Sequence, residues 1–503
     1  MIFTSLNFIL FLSVCLIVYY ILPLKARWIL LLAGSIFFYV CSGWEMLIFV
    51  IATALVSYGA ALRMDWIYST DKYAELNQAE KKKKAKVWLY GGLILVIGVL
   101  AYTKLAHYFV KADNIIIPLG ISYYTFGIVG YMADVYWKRD KAEKNPLKLL
   151  LYMIYFPHIL QGPIARHKKL AGQLSEGHSF QYRDICFGLQ RVLWGFFKKL
   201  VIADRFAVLV NEIFNNYEQY EGQYFIIAIF SCAVQLYCDF SGCMDIAIGV
   251  SECFGIHLEE NFKRPFYSKS AAEFWRRWHI TLGAWFKDYV YMPMVINPRL
   301  IKLSKKAKDR FGPRFGKSLM TVIPLAIVWL FTGLWHGTGI DYIIWGCYWG
   351  LIIIISAVFA PEFKKLNKWL KINTESGLWK GFQMLRTCLI FCGGRLLTAP
   401  GDIRVSMEII RSIFTKGNMW IWFDQSLYNL GLSRQELWVG IWSLLLLVFI
   451  SHKQEQGVKI REKVASLPLP IRWILYYGLF FLVLILGRYG SGFEESAFVY
   501  MQY

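Results

Sequence analysis

An all-helical, multi-pass membrane fold is predicted by three features of the 503-residue sequence. Hydrophobic residues make up 57% of it and aromatic residues 17%. Mean hydropathy is +0.42, and long apolar runs recur from one end to the other. A soluble core of this size needs less apolar surface. The runs fall at 2–22, 28–42, 45–62, 87–105, 114–133, 147–163, 183–203, 223–237, 244–256, 319–335, 340–359, 383–399, 437–451 and 472–488. Several are short or carry Gly and Pro, so about 11 to 14 membrane-embedded helices are expected, some of them re-entrant or covered by neighbours.

The first run has no basic residues ahead of it and no small-residue cleavage site before Lys25, so it reads as a retained helix instead of a signal peptide. Basic residues collect at Lys25 and Arg27, 63–86, 137–144, 263–317, 364–371 and 452–463. Basic loops near helix ends stay cytoplasmic. Alternating them with the runs puts the N-terminus outside and leaves Glu494, Glu495 and Tyr503 outside as well. Topology and attraction to anionic membrane lipid then account for much of the net charge of +21. A nucleic-acid partner is not expected, and Lys81 to Lys84 read as a solvated loop that fixes orientation.

Ten cysteines lie mostly inside apolar runs and none forms a CxxC pair. Neither a disulfide framework nor a metal site is indicated, and the thiols read as small buried hydrophobes. No fixed-period repeat or Pro/Ser-rich linker divides the chain, so residues 1–503 are expected to form a single domain.

Five segments carry polar chemistry. The run Trp329 to Gly339 (WLFTGLWHGTG) sets His336 among aromatic and glycine residues. A charged side chain at the centre of a spanning helix costs roughly 2.5 to 3.5 kcal/mol on insertion scales, so a histidine there is a candidate for chemistry. Gly333, Gly337 and Gly339 would leave room beside it for a substrate, and Trp335 could fix the ring. Residues 118–137 carry small side chains at 120, 122, 127 and 130, as expected of close helix packing. In 155–166 (YFPHILQGPIAR), Pro157 and Gly162-Pro163 break a helix at membrane depth, which is tolerated only where the backbone is buried or lines a cavity. His158 is expected there as a hydrogen-bonded structural residue.

In 235–249 (QLYCDFSGCMDIAIG), Asp239 and Asp245 are six residues apart, about 240° around a helix, which argues against a paired acid and base. Asp239 instead reads as a buried carboxylate that orients another polar group, with Ser241 beside it. In 260–293, Trp275, Trp278, His279 and Leu282 would share one face of a helix and the arginines another, with Ser270 and Glu273 as a capping box. Arg276, Arg277 and Lys287 could hold the phosphates of a donor such as coenzyme A or a carrier's phosphopantetheine. Anchoring at the membrane surface is the alternative.

The segments FWRRWHITLGAWFKDYVYMP (274–293), LWHGTG (334–339), YCDFSGCMDIAIG (237–249), NFKRPFYSKS (261–270), PLGISYYTF (118–126), YFPHILQGPIAR (155–166) and the terminal FVYMQY resemble the membrane-bound O-acyltransferase family. The similarity spans the chain, is strongest over 118–350, and is nearest to the bacterial alginate O-acetyltransferase branch. It implies a ring of helices around a thin partition, with a cytoplasmic funnel for the acyl donor and a tunnel toward an outer acceptor. His336 matches the family's catalytic histidine and His279 a second histidine on the cytoplasmic side. Trp275, Arg276, Arg277, Trp278 and Trp335 fall along the implied donor route, with Asp239, Ser241 and Asn261 supporting it. The chain departs from the branch at Met294-Val-Ile-Asn, where a Gly-Gly pair is common, and at Trp349-Gly350, where His-Gly is common.

The implied activity is transfer of an acyl group, acetyl above all, from a cytoplasmic thioester to a hydroxyl of a surface or secreted polysaccharide. A neutral imidazole at His336 would accept the hydroxyl proton. Acetyl-CoA is the expected donor, with no tightly bound cofactor or metal, in the cytoplasmic membrane of a bacterium. The expected partner is an extracellular or membrane-tethered protein with an SGNH-hydrolase-like acetyltransferase domain, docking on the outer segment 401–436. Transfer of D-alanine to teichoic acid from an acyl carrier protein is the alternative, and a polysaccharide transporter a third reading.

Overall fold

A computed structural model describes residues 3–109, 118–337 and 339–489, except the side chains of 106–109. The terminal FVYMQY, Glu494, Glu495 and Tyr503, and Thr338 of the LWHGTG motif, lie outside the described residues. Every regular element among the described residues is a helix, and none is a strand. Seven helices are long and apolar enough to cross a membrane: Trp44–Ser69, Gln78–Leu105, Gln223–Cys253, Pro313–His336, Ile340–Val358, Arg434–Glu455 and Leu469–Leu486, with Leu6–Ile21 a shorter apolar helix. Gln223–Cys253 fuses two of the expected runs, the run at 147–163 folds as two short helices, and the run at 183–203 is helical with a π-helical stretch at Phe197–Ala203. The chain divides into two compact units, Met1–Gly195 with Cys243–Glu260, and Phe196–Gly242 with Asn261–Tyr503.

The first unit carries α1 (Leu6–Ile21), α2 (Arg27–Val40), α3 (Trp44–Ser69), α4 (Gln78–Phe109), α5 (Ile121–Tyr136), α6 (Pro146–Ile154), α7 (Phe156–Ile159), α8 (His167–Ser175) and α9 (Tyr182–Phe196). Lys81 to Lys84 lie in the first turns of α4 instead of a loop. Asn77 and Glu80 cap that helix reciprocally, each backbone N–H donating to the other's side chain at 2.9 and 3.0 Å, so the helix starts ahead of the lysines. The break between α6 and α7 falls where Pro157 and the following Gly-Pro were expected to break it. With α5 this segment lines a cavity of about 10 Å³, room for a single water. His158 is buried against it, and its Nδ1 lies 2.7 Å from the Tyr155 carbonyl oxygen, a structural hydrogen bond.

The second unit opens with a π-helix at Phe197–Ala203, then α10 (Asp204–Asn215) and α11 (Gln223–Cys253), whose residues 223–242 belong to this unit. It continues through α12 (Ala271–Arg277), α13 (Ile280–Phe286), α14 (Met292–Val295), α15 (Pro298–Phe311), α16 (Pro313–His336), α17 (Ile340–Val358), α18 (Ala360–Trp369) and α19 (Gly377–Leu396). The last helices are α20 (Ile403–Thr415), α21 (Arg434–Glu455), α22 (Ile460–Ala465) and α23 (Leu469–Leu486). Helices α16 and α17 form a tight antiparallel hairpin. A Cβ on Gly333 would meet the Tyr342 carbonyl oxygen at 2.6 Å, and one on Gly346 the Trp329 carbonyl oxygen at 2.6 Å. Only glycine permits that approach. The cysteines are less uniform than the sequence suggested: Cys15, Cys232, Cys238, Cys243 and Cys253 are buried, but Cys41 and Cys347 are exposed.

Candidate active site

His336 is the last residue of α16 and is 8% exposed. Its ring lies 4.6 Å from the Trp335 ring and 4.8 Å, edge-on, from that of Trp345. Trp335 also faces His279, at 5.9 Å between ring centroids. The two histidines singled out from sequence, 57 positions apart in the chain, therefore share one aromatic cluster with Trp335 between them. Trp275 joins the same cluster, 5.8 Å from Trp345 and 5.0 Å from both Trp329 and Trp349. Trp349, at the position where the branch commonly has histidine, is 1% exposed and stacks parallel to Phe274.

Room beside His336 does not come from the glycines. A Cβ added at Gly333 would run into the α17 backbone, one at Gly337 into the Tyr342 ring, and one at Gly339 into the Asp341 carboxylate. These glycines serve close packing of the α16–α17 hairpin, which is what holds His336 at its helix end.

The expected continuous helix through His279 does not form. Ser270 caps α12 by accepting from the Glu273 backbone N–H at 3.2 Å, but the Glu273 carboxylate accepts from Lys269 instead of Ser270, so the capping box is only half made. The helix ends at Arg277. Phe262 and Trp278 pair in an isolated antiparallel bridge, Lys263 N–H donates to Arg277 O at 2.9 Å, and Ile280 N–H donates to Asn261 O at 3.0 Å. Pairing with 261–263 pulls 278–280 out of helical register. Periodicity within 270–282 could not reveal a partner segment found earlier in the chain.

His279 sits at the break with φ +47° and ψ +52°, the only buried non-glycine residue with positive φ among the described residues. That left-handed backbone costs about 1 to 2 kcal/mol and persists only where the surroundings enforce it. Asn261, fully buried, is what enforces it. Its Oδ1 accepts from Thr281 N–H and Thr281 Oγ1, each at 3.0 Å, and lies 3.2 Å from His279 Nδ1. A backbone N–H can point only at an oxygen, so the amide orientation is fixed and Nδ1 must be the donor. The neutral His279 ring thus carries its proton on Nδ1 and leaves Nε2 as the basic nitrogen. Burial pushes this imidazole well below its ordinary value of 6.5, to about 3. Phe240 meets the ring edge-on at 4.9 Å.

Asp239, 1% exposed, orients a group that the sequence reading missed. Lys199 Nζ donates to Asp239 Oδ1 at 2.7 Å and also pairs with Asp204 at 3.0 Å, while Lys198 Nζ donates to Ser241 Oγ at 2.9 Å. Lys198 and Lys199 are 4% and 2% exposed on the π-helix. Two consecutive lysines inside the apolar run 183–203 were the available signal, because buried ammonium groups require partners. Asp245 points to a separate cluster in the first unit, 2.9 Å from Arg191 Nε, so the two carboxylates do not form a pair.

The two arginines differ. Arg277 is held by Glu273 at 2.8 Å and Glu455 at 2.9 Å, its charge already balanced. Arg276 is exposed and makes no ion pair among the described residues, and Lys287 is likewise exposed. Trp278 is buried against Phe262 and Phe274, inside the packing instead of on a membrane-facing stripe. No group of three or more His, Cys, Asp or Glu suited to a metal occurs among the described residues.

The model for "MBOAT, membrane-bound O-acyltransferase family" matches residues 138–308, which include His279 and Asn261 but not His336. A probable alginate O-acetylase of Pseudomonas putida is 32% identical over 434 residues, covering 83% of this chain and 81% of the relative. A peptidoglycan O-acetyltransferase of Helicobacter pylori is 28% identical, over 71% and 70% of the two chains. A teichoic acid D-alanyltransferase of Bacillus subtilis is 31% identical, over 52% and 64%. With a relative at this identity aligned over most of both chains, and with an all-helical architecture carrying seven candidate spans, the protein belongs to the membrane-bound O-acyltransferase family.

Proposed function

We propose that this membrane-bound O-acyltransferase moves an acetyl group from a cytoplasmic thioester, acetyl-CoA above all, to the hydroxyl of an acceptor on the outer side, for O-acetylation of a surface or secreted polysaccharide. The observation that carries the reading is the joining of His336 and His279 through Trp335 in one buried aromatic cluster. In the proposed reaction the acceptor hydroxyl oxygen attacks the thioester carbonyl as His336 takes its proton. The tetrahedral adduct then collapses, the C–S bond breaks, and the proton passes to the departing thiolate. A positioned base of this kind contributes about 10² to 10⁴ in rate.

His279 supports the donor side, its basic Nε2 set by Asn261, with Trp275 and Trp335 as aromatic walls and Trp278 packed against Phe262 and Phe274. Arg276 is the guanidinium available for donor phosphate, because Arg277 is already neutralised. Asp239 and Ser241 act through Lys199 and Lys198. Both termini lie outside the bacterial cytoplasmic membrane in this reading, and the acetyl group passes to an SGNH-hydrolase-like partner docked at 401–436. Part of that segment is tied down, with Asn418 accepting from Gln223 N–H at 2.7 Å and donating to Glu221 O at 2.9 Å.

Acetyl is favoured over D-alanine by the longer alignment with acetyl-transferring relatives, 83% of this chain against 52%. The test is His336→Ala at matched membrane abundance in cells, with O-acetyl groups on the surface polysaccharide measured after labelling with isotopic acetate or D-alanine. Loss of acetate label is expected. Retained acetylation removes His336 as the base, and incorporation of D-alanine in place of acetate reassigns the acyl group.

A further inference from the structure

Helices α21 and α23 both lean on the π-helix at 197–203, and a groove of about 550 Å³ opens between them. Its walls include Trp438, Trp442 and Leu446 from α21 and Leu482 and Leu486 from α23, with Arg434 at one end. From Arg434 to Leu446 is 12 residues of helix, about 18 Å at 1.5 Å per residue, more than half of a hydrocarbon layer of about 30 Å. Both helices are long and apolar enough to span; with both crossing the membrane, the groove would open along the bilayer and its arginine would sit at the terminus of a span. Trp438 and Trp442 remain 44% and 65% exposed, and Trp438 is tilted 30° to Trp442 at 6.5 Å.

Among the described residues, no carboxylate pairs with the arginine at the mouth. Glu436, the nearest carboxylate in sequence, is committed to Arg488 at 2.5 Å and to the Ser433 cap. Arg434 itself is exposed, lies 5.7 Å from the Tyr428 ring and makes no ion pair among the described residues. A planar guanidinium at headgroup depth, above an aromatic and leucine channel, complements one anionic phosphate carrying an extended acyl chain.

We infer that this groove is a binding site for one anionic phospholipid, with its phosphate on Arg434 and one acyl chain along Trp438, Trp442 and Leu482. The site is separate from the histidine cluster and requires no turnover. It selects headgroup by charge at Arg434 and chain by the apolar walls.

The experiment is native mass spectrometry of the delipidated full-length protein, titrated in parallel with phosphatidylglycerol, phosphatidylcholine and inorganic phosphate. Phosphatidylglycerol is expected to bind in preference to phosphatidylcholine. Arg434→Gln should weaken it about fivefold, the worth of one basic residue at an anionic lipid surface, while leaving phosphatidylcholine unchanged. Leu482→Trp, which fills the channel and leaves Arg434 intact, should displace both lipids. Size exclusion of each variant checks that it remains folded. Equal phosphatidylglycerol affinity in the parent and Arg434→Gln overturns the site, as does undiminished lipid binding by Leu482→Trp. Saturation by inorganic phosphate alone, with no added affinity from the chain, replaces the lipid with a free anion and also overturns it.

Discussion

Asn261→Ala removes the acceptor that fixes the geometry of His279. In the parent, one oxygen takes three buried donors, His279 Nδ1–H at 3.2 Å and Thr281 N–H and Oγ1–H at 3.0 Å each. Alanine takes that acceptor from all three, at a cost of about 1 kcal/mol apiece, so about 3 kcal/mol is lost in total. Backbone pairing through Asn261 O survives, because it does not involve the side chain. Thermal stability in detergent, followed as monodisperse protein surviving a heating step, should fall by roughly 5 °C. Asn261→Asp is the informative companion. It keeps the shape and the acceptor, recovers most of the stability, and places a carboxylate against Nδ1–H, which raises the His279 pKa from about 3. The acid limb of the activity profile should then move to higher pH. If the alanine variant melts like the parent and the aspartate variant leaves the acid limb where it was, Asn261 does not set the state of His279.

Three further outcomes follow from buried groups. His279 is held neutral with a pKa depressed from 6.5 to about 3, so its contribution is complete above 6.5 and is lost as pH falls toward 3. Stability should drop by about 1 kcal/mol at pH 5.5, and His279→Gln should flatten that part of the pH–stability curve. Lys199→Met removes the ammonium that Asp239 and Asp204 share and should cost about 3 to 5 kcal/mol, with part of it recovered in Lys199→Met/Asp239→Leu, as measured by thermal survival. Gly333→Leu forces α17 away from α16, because its Cβ would lie 2.6 Å from the Tyr342 carbonyl oxygen; it should cost about 1 to 3 kcal/mol and lower acetyl transfer more than membrane abundance.

The membrane character was legible because apolar runs and basic loops are local features, and α16, α17, α21 and α23 begin and end within a few residues of the expected runs. His336 and His279 were legible as polar groups in improbable surroundings. What could not be read was set by distant pairing. The bridge from 261–263 breaks the helix at Trp278, although the residues around His279 alone have helical spacing. Glycines beside His336 suggest open space in a sequence, whereas in the fold Gly333 marks where another backbone passes. Lys199 and Asp239 lie 40 positions apart, so Asp239 read as a lone buried carboxylate, and the lysine that pairs with it in the fold went unread.

The most direct test of the account is vectorial transfer in reconstituted vesicles. Acetyl-labelled CoA is supplied on one face, and the acceptor oligosaccharide with its hydrolase-like partner on the other. The parent should carry label across, and His336→Gln should transfer at least about 100-fold more slowly with donor binding retained. Near-parental transfer by that variant, or transfer by the parent only when donor and acceptor share a face, would contradict His336 as the base for acyl transfer across the membrane.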